Sequence, residues 1–210
     1  MDNLDNQKLW REKRDPQNVR FINYKLLKNV SYKGEPVVPQ ILSEDSAGHI
    51  NVEMLGGNDY EDILKTNDRE ISLKKKLQIG KAVIEQFKEI DKAGFVLFDR
   101  HDRNIRILSW KDNISVRQVD LEEMYDKHTE SLYCVPGNRE GYDLLIESYE
   151  AEGSNFWAHS IQTLAGPLSY AVERAKEKKA YEILVNFALP RIDVDLDKFM
   201  QAIDEAIKTL

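Results

Sequence analysis

The sequence predicts an α+β chain with a short strand-bearing N-terminal part and a mainly helical remainder. Two strand-like runs, Glu35 to Leu42 and His49 to Leu55, flank the turn Ser46-Ala47-Gly48. A long stretch places Leu73, Leu77, Ile84, Phe87 and Ile90 on one helical face. From Tyr142 onward the pattern is mostly helical, and it closes on Leu196, Phe199, Met200, Ile203 and Ile207.

The elements follow in order. Leu9 to Arg14 reads as a short strand halted by Asp15-Pro16, and Val19 to Val30 as a helix carrying Phe21, Tyr24, Leu26 and Leu27. After the two strands, Gly56-Gly57-Asn58-Asp59 is a breaker before a short helical piece, Tyr60 to Leu64. Ser72 caps the long helix, which ends at Gly94 because glycine adopts the left-handed conformation a helix terminus favours. In the helical remainder, Gly153, Gly166-Pro167 and Pro190 are read as breaks.

Composition narrows the function. The 210 residues carry a net charge of -7, with 41% hydrophobic and 32% charged residues. Such a chain can bury a core without staples and argues against nucleic acid as a partner, which needs concentrated positive surface. The basic runs Lys74-Lys75-Lys76 and Arg174 to Lys179 are interleaved with acids and read as solvated helix faces. Cys134 is the single cysteine, so no intramolecular disulfide forms and a reducing, cytoplasmic setting is expected. No signal peptide and no membrane span are expected.

The chemistry is concentrated in Gly94-Phe95-Val96-Leu97-Phe98-Asp99-Arg100-His101-Asp102-Arg103-Asn104-Ile105-Arg106-Ile107, followed by Val116-Arg117-Gln118-Val119-Asp120-Leu121-Glu122. Asp99 can orient or deprotonate a hydroxyl, Asn104 can offer a carbonyl oxygen to a metal, and Asp120 supplies a carboxylate of the kind Mg²⁺ accepts. Taken singly, Asp99 and Asn104 would most often be turn or capping residues; it is their joint spacing, the long helix before them and Asp120 after them that point to a metal site. The pair His101-Asp102 could also serve a metal-dependent phosphohydrolase, but His49, His128 and His159 lack a helpful spacing for one.

Asp99-x-His101-x-x-Asn104 with the later Asp120 resembles the catalytic loop and metal-binding Asp of the protein-kinase-like superfamily, closest to the aminoglycoside and small-molecule phosphotransferase type. The resemblance covers roughly Leu9 to Asp143. It implies a two-lobed fold with a reduced N-lobe at residues 1–55 and a helical C-lobe at 56–210. It also implies Mg²⁺- and ATP-dependent phosphoryl transfer to a hydroxyl of an unknown acceptor. Asp99 would be catalytic, Asn104 and Asp120 the metal ligands, and His101 a loop-structuring residue. Glu53-Met54-Leu55-Gly56-Gly57 would be the link that binds adenine, so Glu53 and Leu55 become cofactor-binding candidates. Asp143 would brace the loop.

The chain also departs from this pattern. Leu97 stands where the family usually has His, and Glu122-Glu123 replaces the Phe-Gly of protein kinases. No glycine precedes Gly34, so a glycine-rich phosphate loop is missing. Lys13 is the candidate phosphate contact, with Lys8 and Arg11 as stand-ins; the residue expected to pair with it falls at Asn23, which forms no ion pair. The alternative reading is a degenerate pseudokinase that binds nucleotide or a regulatory partner without turnover, and a protein partner could complete the N-lobe.

Overall fold

The computed structural model describes residues 10–11, 19–44, 50–98, 100–121, 123–134, 146, 156–188 and 196–210. They form a mixed α+β structure of small antiparallel sheets and several helices. Strand β1 (Trp10–Arg11) precedes helix α1 (Val19–Leu27), which buries Asn23, Tyr24 and Leu27. The rest of the expected Leu9 to Arg14 strand, with Lys13, lies outside the described residues.

The run from Glu35 to Leu42 is not one strand. It contributes β3 (Glu35–Pro36), paired with β2 (Ser31–Tyr32), and the start of β4 (Ile41–Glu44). Lys33 and Gly34 both take positive φ, 53° and 81°, the geometry of a tight two-residue hairpin turn. Pro36 and Pro39 donate no backbone hydrogen bond, which interrupts the ladder. Between them Val37 and Val38 are buried; Val37 donates to the Val30 carbonyl at 3.1 Å and accepts from the Gln118 amide at 2.7 Å.

Strand β5 (Ile50–Val52) pairs antiparallel with both β4 and β1, so one small sheet has the order β1-β5-β4. The expected turn at Ser46-Ala47-Gly48 lies outside the described residues. The chain then passes through residues 53–57 into β6 (Asn58–Asp59) and α2 (Tyr60–Lys65). Gly57 has φ 80°, and an added Cβ would sit 2.0 Å from the Ile107 carbonyl oxygen. Glycine is therefore required by both conformation and close approach.

Helix α3 (Leu73–Lys92) begins as expected at Ser72, whose side chain accepts from the Lys75 amide at 3.3 Å. Its buried stripe includes Leu77, Ile84, Phe87 and Ile90. Lys76 corrects the solvated-face reading: it is buried, donating to Asp68 at 2.6 Å and to the Thr66 carbonyl. Its stem packs in the core while the ammonium stays satisfied. The Arg174 to Lys179 run is exposed apart from half-buried Ala175, but it spans a turn between helices, with Lys176 at φ 61°.

Strands β7 (Phe95–Leu97), β8 (Ile105–Ser109) and β9 (Ser115–Gln118) carry the motif's apolar flanks. A further hairpin, β10 (Met124–Asp126) and β11 (Ser131–Tyr133), was not predicted by the sequence; it gives a second sheet of order β11-β10-β7 beside the sheet β6-β8-β9. Helices α4 (Phe156–Arg174), α5 (Lys178–Ala188) and α6 (Leu196–Lys208) pack on one another and on α3. The expected break at Gly166-Pro167 does not occur. Pro167 removes one intrahelical hydrogen bond, but buried Leu164, Ala165, Leu168 and Val172 hold the helix through tertiary packing. The expected breaks at Gly153 and Pro190 lie outside the described residues. One hydrophobic core runs from Tyr24 through α3 to Ala206, and no helix of the described residues is long and apolar enough to cross a membrane.

Candidate functional site

The β8–β9 hairpin determines how the two proposed metal-ligating residues meet. Its register pairs Ile105 with Gln118, so Asn104, just before β8, faces the residues just after β9. The Val119 amide donates to the Asn104 carbonyl at 2.8 Å, which sets Asn104 one residue away from Asp120 across the hairpin's open end. At the other side, β7 and β10 pair Leu97 with Met124, and the Phe98 amide donates to the Glu123 carbonyl at 3.2 Å. The segments 98–104 and 119–123 are thus pinned together at both ends. Asp99, between the pins in sequence, lies outside the described residues, as do Glu122 and Asp143.

Asp120 is half-buried with φ 56°, a left-handed conformation that non-glycine residues adopt at a cost of about 1–2 kcal/mol. Asn and Asp tolerate it best, and such outliers concentrate where a side chain must be aimed. The next residue is held from above: the Asn23 side-chain amide, fully buried on α1, donates to the Leu121 carbonyl at 2.8 Å. Asn104 closes a 3-10 turn, Asp102–Asn104, and the carboxylate of its first residue lies 2.8 Å from His101 Nδ1. His101 is exposed, so this contact is local to the turn.

Arg100 lies beneath the loop. Its Nε donates to the Leu97 carbonyl at 2.5 Å and its guanidinium sits 4.9 Å over the Phe87 ring. Burial pulls its pKa below the usual arginine range, while the Asp91 carboxylate opposes that shift. The arrangement fastens the loop to α3 from inside the core.

A cavity of about 280 Å³ opens beside this assembly, lined by Tyr24, Pro39, Glu53, Met54, Leu55, Asp59, Arg106 and Val119. Glu53 and Leu55, singled out by sequence, are therefore on its wall, and Val119 joins it directly to Asp120. Glu53 is fixed by its amide, which donates to the Gln40 carbonyl at 2.8 Å. Arg106 bridges Asp59 at 2.5 Å and the Gly56 carbonyl at 3.3 Å. The wall is mostly apolar but carries three charged side chains, Glu53, Asp59 and Arg106, of which the last two pair, a lining of the kind that small-molecule pockets have.

Sequence reasoning missed Tyr24, Pro39, Asp59, Arg106 and Val119 because they come from separate elements. The signal for Asp59 was its place directly after Gly56-Gly57; for Arg106 it was a charged residue inside an apolar strand. A second cleft, of about 240 Å³, is bordered by Glu61, Asp102, Pro167 and Tyr170. Glu61 is held down to about 2 by hydrogen bonds from Arg103 and Lys65.

Asn104 and Asp120 both offer hard oxygen donors, and Mg²⁺ characteristically takes one or two such groups from protein and the rest from phosphate and water. The residues present therefore fit that ion. The chain matches no protein-family model, and no curated protein matches it.

Proposed function

We propose that this protein is a kinase-like phosphotransferase with a two-lobed fold and a reduced N-lobe. It uses Mg²⁺ and ATP to phosphorylate a hydroxyl of a small molecule. The observation that carries the reading is the double pinning of residues 98–104 to 119–123, which sets Asn104 against the peptide of Asp120. Support also comes from the apolar cavity one residue away, bounded by Glu53 and Leu55.

In this reading the base would occupy the cavity, and Asn104 and Asp120 would hold a Mg²⁺ ion that would supply charge neutralisation at the phosphates. Asp99 orients the acceptor hydroxyl and receives its proton. The cleft beside Asp102 is the candidate acceptor site, since it opens next to the turn that follows Asp99. Lys13 remains the candidate side-chain contact to the phosphates.

A second reading, nucleotide or partner binding without turnover, is favoured by Asn23. Where the family resemblance expects an acidic partner for a phosphate-binding lysine, this amide is committed to Leu121. Transfer from labelled ATP to sugars, aminoglycosides, lipids and proteins separates the two readings. The enzyme reading expects labelling of one acceptor class that Asp99→Ala abolishes while nucleotide affinity is nearly preserved. Tight Mg²⁺-ATP binding with no labelling and no slow hydrolysis establishes the second reading instead.

A further inference from the structure

We infer that Asn23 is a positioning residue that couples helix α1 to the metal carboxylate of Asp120; this rests on the phosphotransferase reading above. Asn23 is fully buried, yet α1 could fill that position with an apolar side chain of similar volume. Its Nδ2 spans 98 positions of sequence to reach the Leu121 carbonyl at 2.8 Å. Its Oδ1 has no hydrogen-bond partner among the described residues. A buried amide with one satisfied and one unsatisfied end is a poor choice for stability alone, because each unpaired polar atom loses its hydration.

The bond has a specific geometric consequence. The carbonyl of Leu121 is oriented by the backbone at 120 and 121, and Asp120 takes φ 56° in the same stretch. Val119, on the other side of Asp120, is tied to Asn104. Asp120 therefore sits between two hydrogen-bonded anchors, one on the hairpin and one on α1. Releasing the α1 anchor frees the peptide directly after Asp120, leaving the buried Leu121 side chain and the Phe98–Glu123 bond as the next holds, so the left-handed conformation is less firmly fixed and the carboxylate less firmly aimed. Groups that orient metal ligands in this way commonly change metal affinity by about 10–100-fold when removed. Coupling of this kind is reciprocal: a metal-nucleotide complex that favours the aimed Asp120 also favours docked α1.

The test compares Asn23→Leu, which keeps the shape and removes the donor, with Asn23→Asp, which sets an acceptor against the Leu121 carbonyl. Gln86→Leu serves as a control. Gln86 is similarly buried, donates to the Val116 carbonyl at 2.8 Å and accepts from Gln118 at 2.6 Å, so its loss removes a buried amide bond from the body of the hairpin and leaves the Asn23–Leu121 bond in place. Calorimetry gives ATP affinity with Mg²⁺ and with EDTA, and amide exchange follows residues 19–27 as Mg²⁺-ATP is added.

Wild type is expected to bind ATP more tightly with Mg²⁺ and to slow exchange in α1. Both Asn23 variants should reduce the Mg²⁺-ATP affinity by about tenfold or more, leave the EDTA value unchanged, and lose the α1 protection. Gln86→Leu should lower the melting temperature yet keep the Mg²⁺ dependence and the protection. If Asn23→Leu does not fold, the near-isosteric Asn23→Asp decides the matter. A variant with the wild-type Mg²⁺ dependence overturns the coupling while sparing the phosphotransferase reading. A wild type whose ATP binding ignores Mg²⁺ brings down both.

Discussion

The front of the molecule, where α1, the β8–β9 hairpin and the motif loop meet, is built on different terms from the helical back formed by α4, α5 and α6. At the front, Asn23, Arg100, Arg117, Gln118 and Glu123 are buried, and Gln86 reaches in from α3. Among the described residues of α4 to α6, Ser169 alone is buried and polar. Gln118 donates to Gln86 at 2.6 Å, Gln86 donates on to the Val116 carbonyl, and Arg117 pairs with Glu35 at 2.7 Å. Buried polar networks add less stability than apolar packing but fix a single geometry. The back maximises burial, and the front holds one backbone path, including a left-handed aspartate.

The comparison breaks first at the back. Phe199 is fully buried against Phe187, with ring centroids 5.2 Å apart. Phe199→Ala should cost about 3–5 kcal/mol by lost transfer energy and an incompletely collapsed cavity. Thermal melting should record that loss while nucleotide affinity, measured where the variant is folded, stays unchanged. Phe87→Ala should cost about as much, by the same mechanism. It should also disturb the loop above it, because its ring carries Arg100.

At the boundary, Gly57→Ala must bear a positive φ and a Cβ against the Ile107 carbonyl. A loss of about 1–3 kcal/mol is expected, with weakened ligand binding because residues 53–57 form the cavity wall. Chemical denaturation and ligand titration on the same sample check both halves. An Ala variant as stable as wild type would mean that the 53–57 link is not seated on β8.

A pH series sharpens the contrast further. Burial, together with the hydrogen bond to Glu85, raises Tyr32 to about 12. The folded state therefore keeps a proton that the unfolded chain releases near 10, so this contribution is present below pH 10 and fades as pH rises towards 12. Burial works to raise Glu85, but hydrogen bonds from Tyr32 and Lys33 outweigh it and lower its pKa. Its contribution is present above the ordinary carboxylate range and is lost as pH falls below it. Melting temperatures of wild type and Tyr32→Phe should converge at strongly alkaline pH. The smallest effect belongs to the half-buried ion pair of α3 with α6. Lys81→Met removes a 2.6 Å contact to Asp204 and should change stability by under about 1 kcal/mol.

Much of this architecture was legible in the sequence where a single local pattern dominates. Helix α3 announces itself through its stripe and its Ser72 cap, and the spacing of Asn104 and Asp120 required only one hairpin between them. The illegible parts depend on tertiary contacts. Pro167 reads as a breaker until the surrounding apolar face is seen to be buried, and Lys76 reads as solvated until Asp68 and Thr66 are found around its head group. β10 and β11 have three residues each, too few for periodicity to register. Asn23 could be recognised as unable to form an ion pair, but nothing near it in sequence pointed to Leu121.

The central claim is that Asn104 and Asp120 form a magnesium site serving a bound nucleotide. Calorimetric titration of ATP into wild type and Asp120→Asn, with Mg²⁺ and with EDTA, tests it most directly. Asn tolerates the left-handed conformation at 120, so the substitution removes charge with little backbone strain. Wild type should bind ATP far more tightly with Mg²⁺, and Asp120→Asn should lose that dependence while its apoprotein melts no lower than wild type. An equal Mg²⁺ dependence in the two proteins, or ATP binding in wild type that EDTA leaves untouched, would contradict the account.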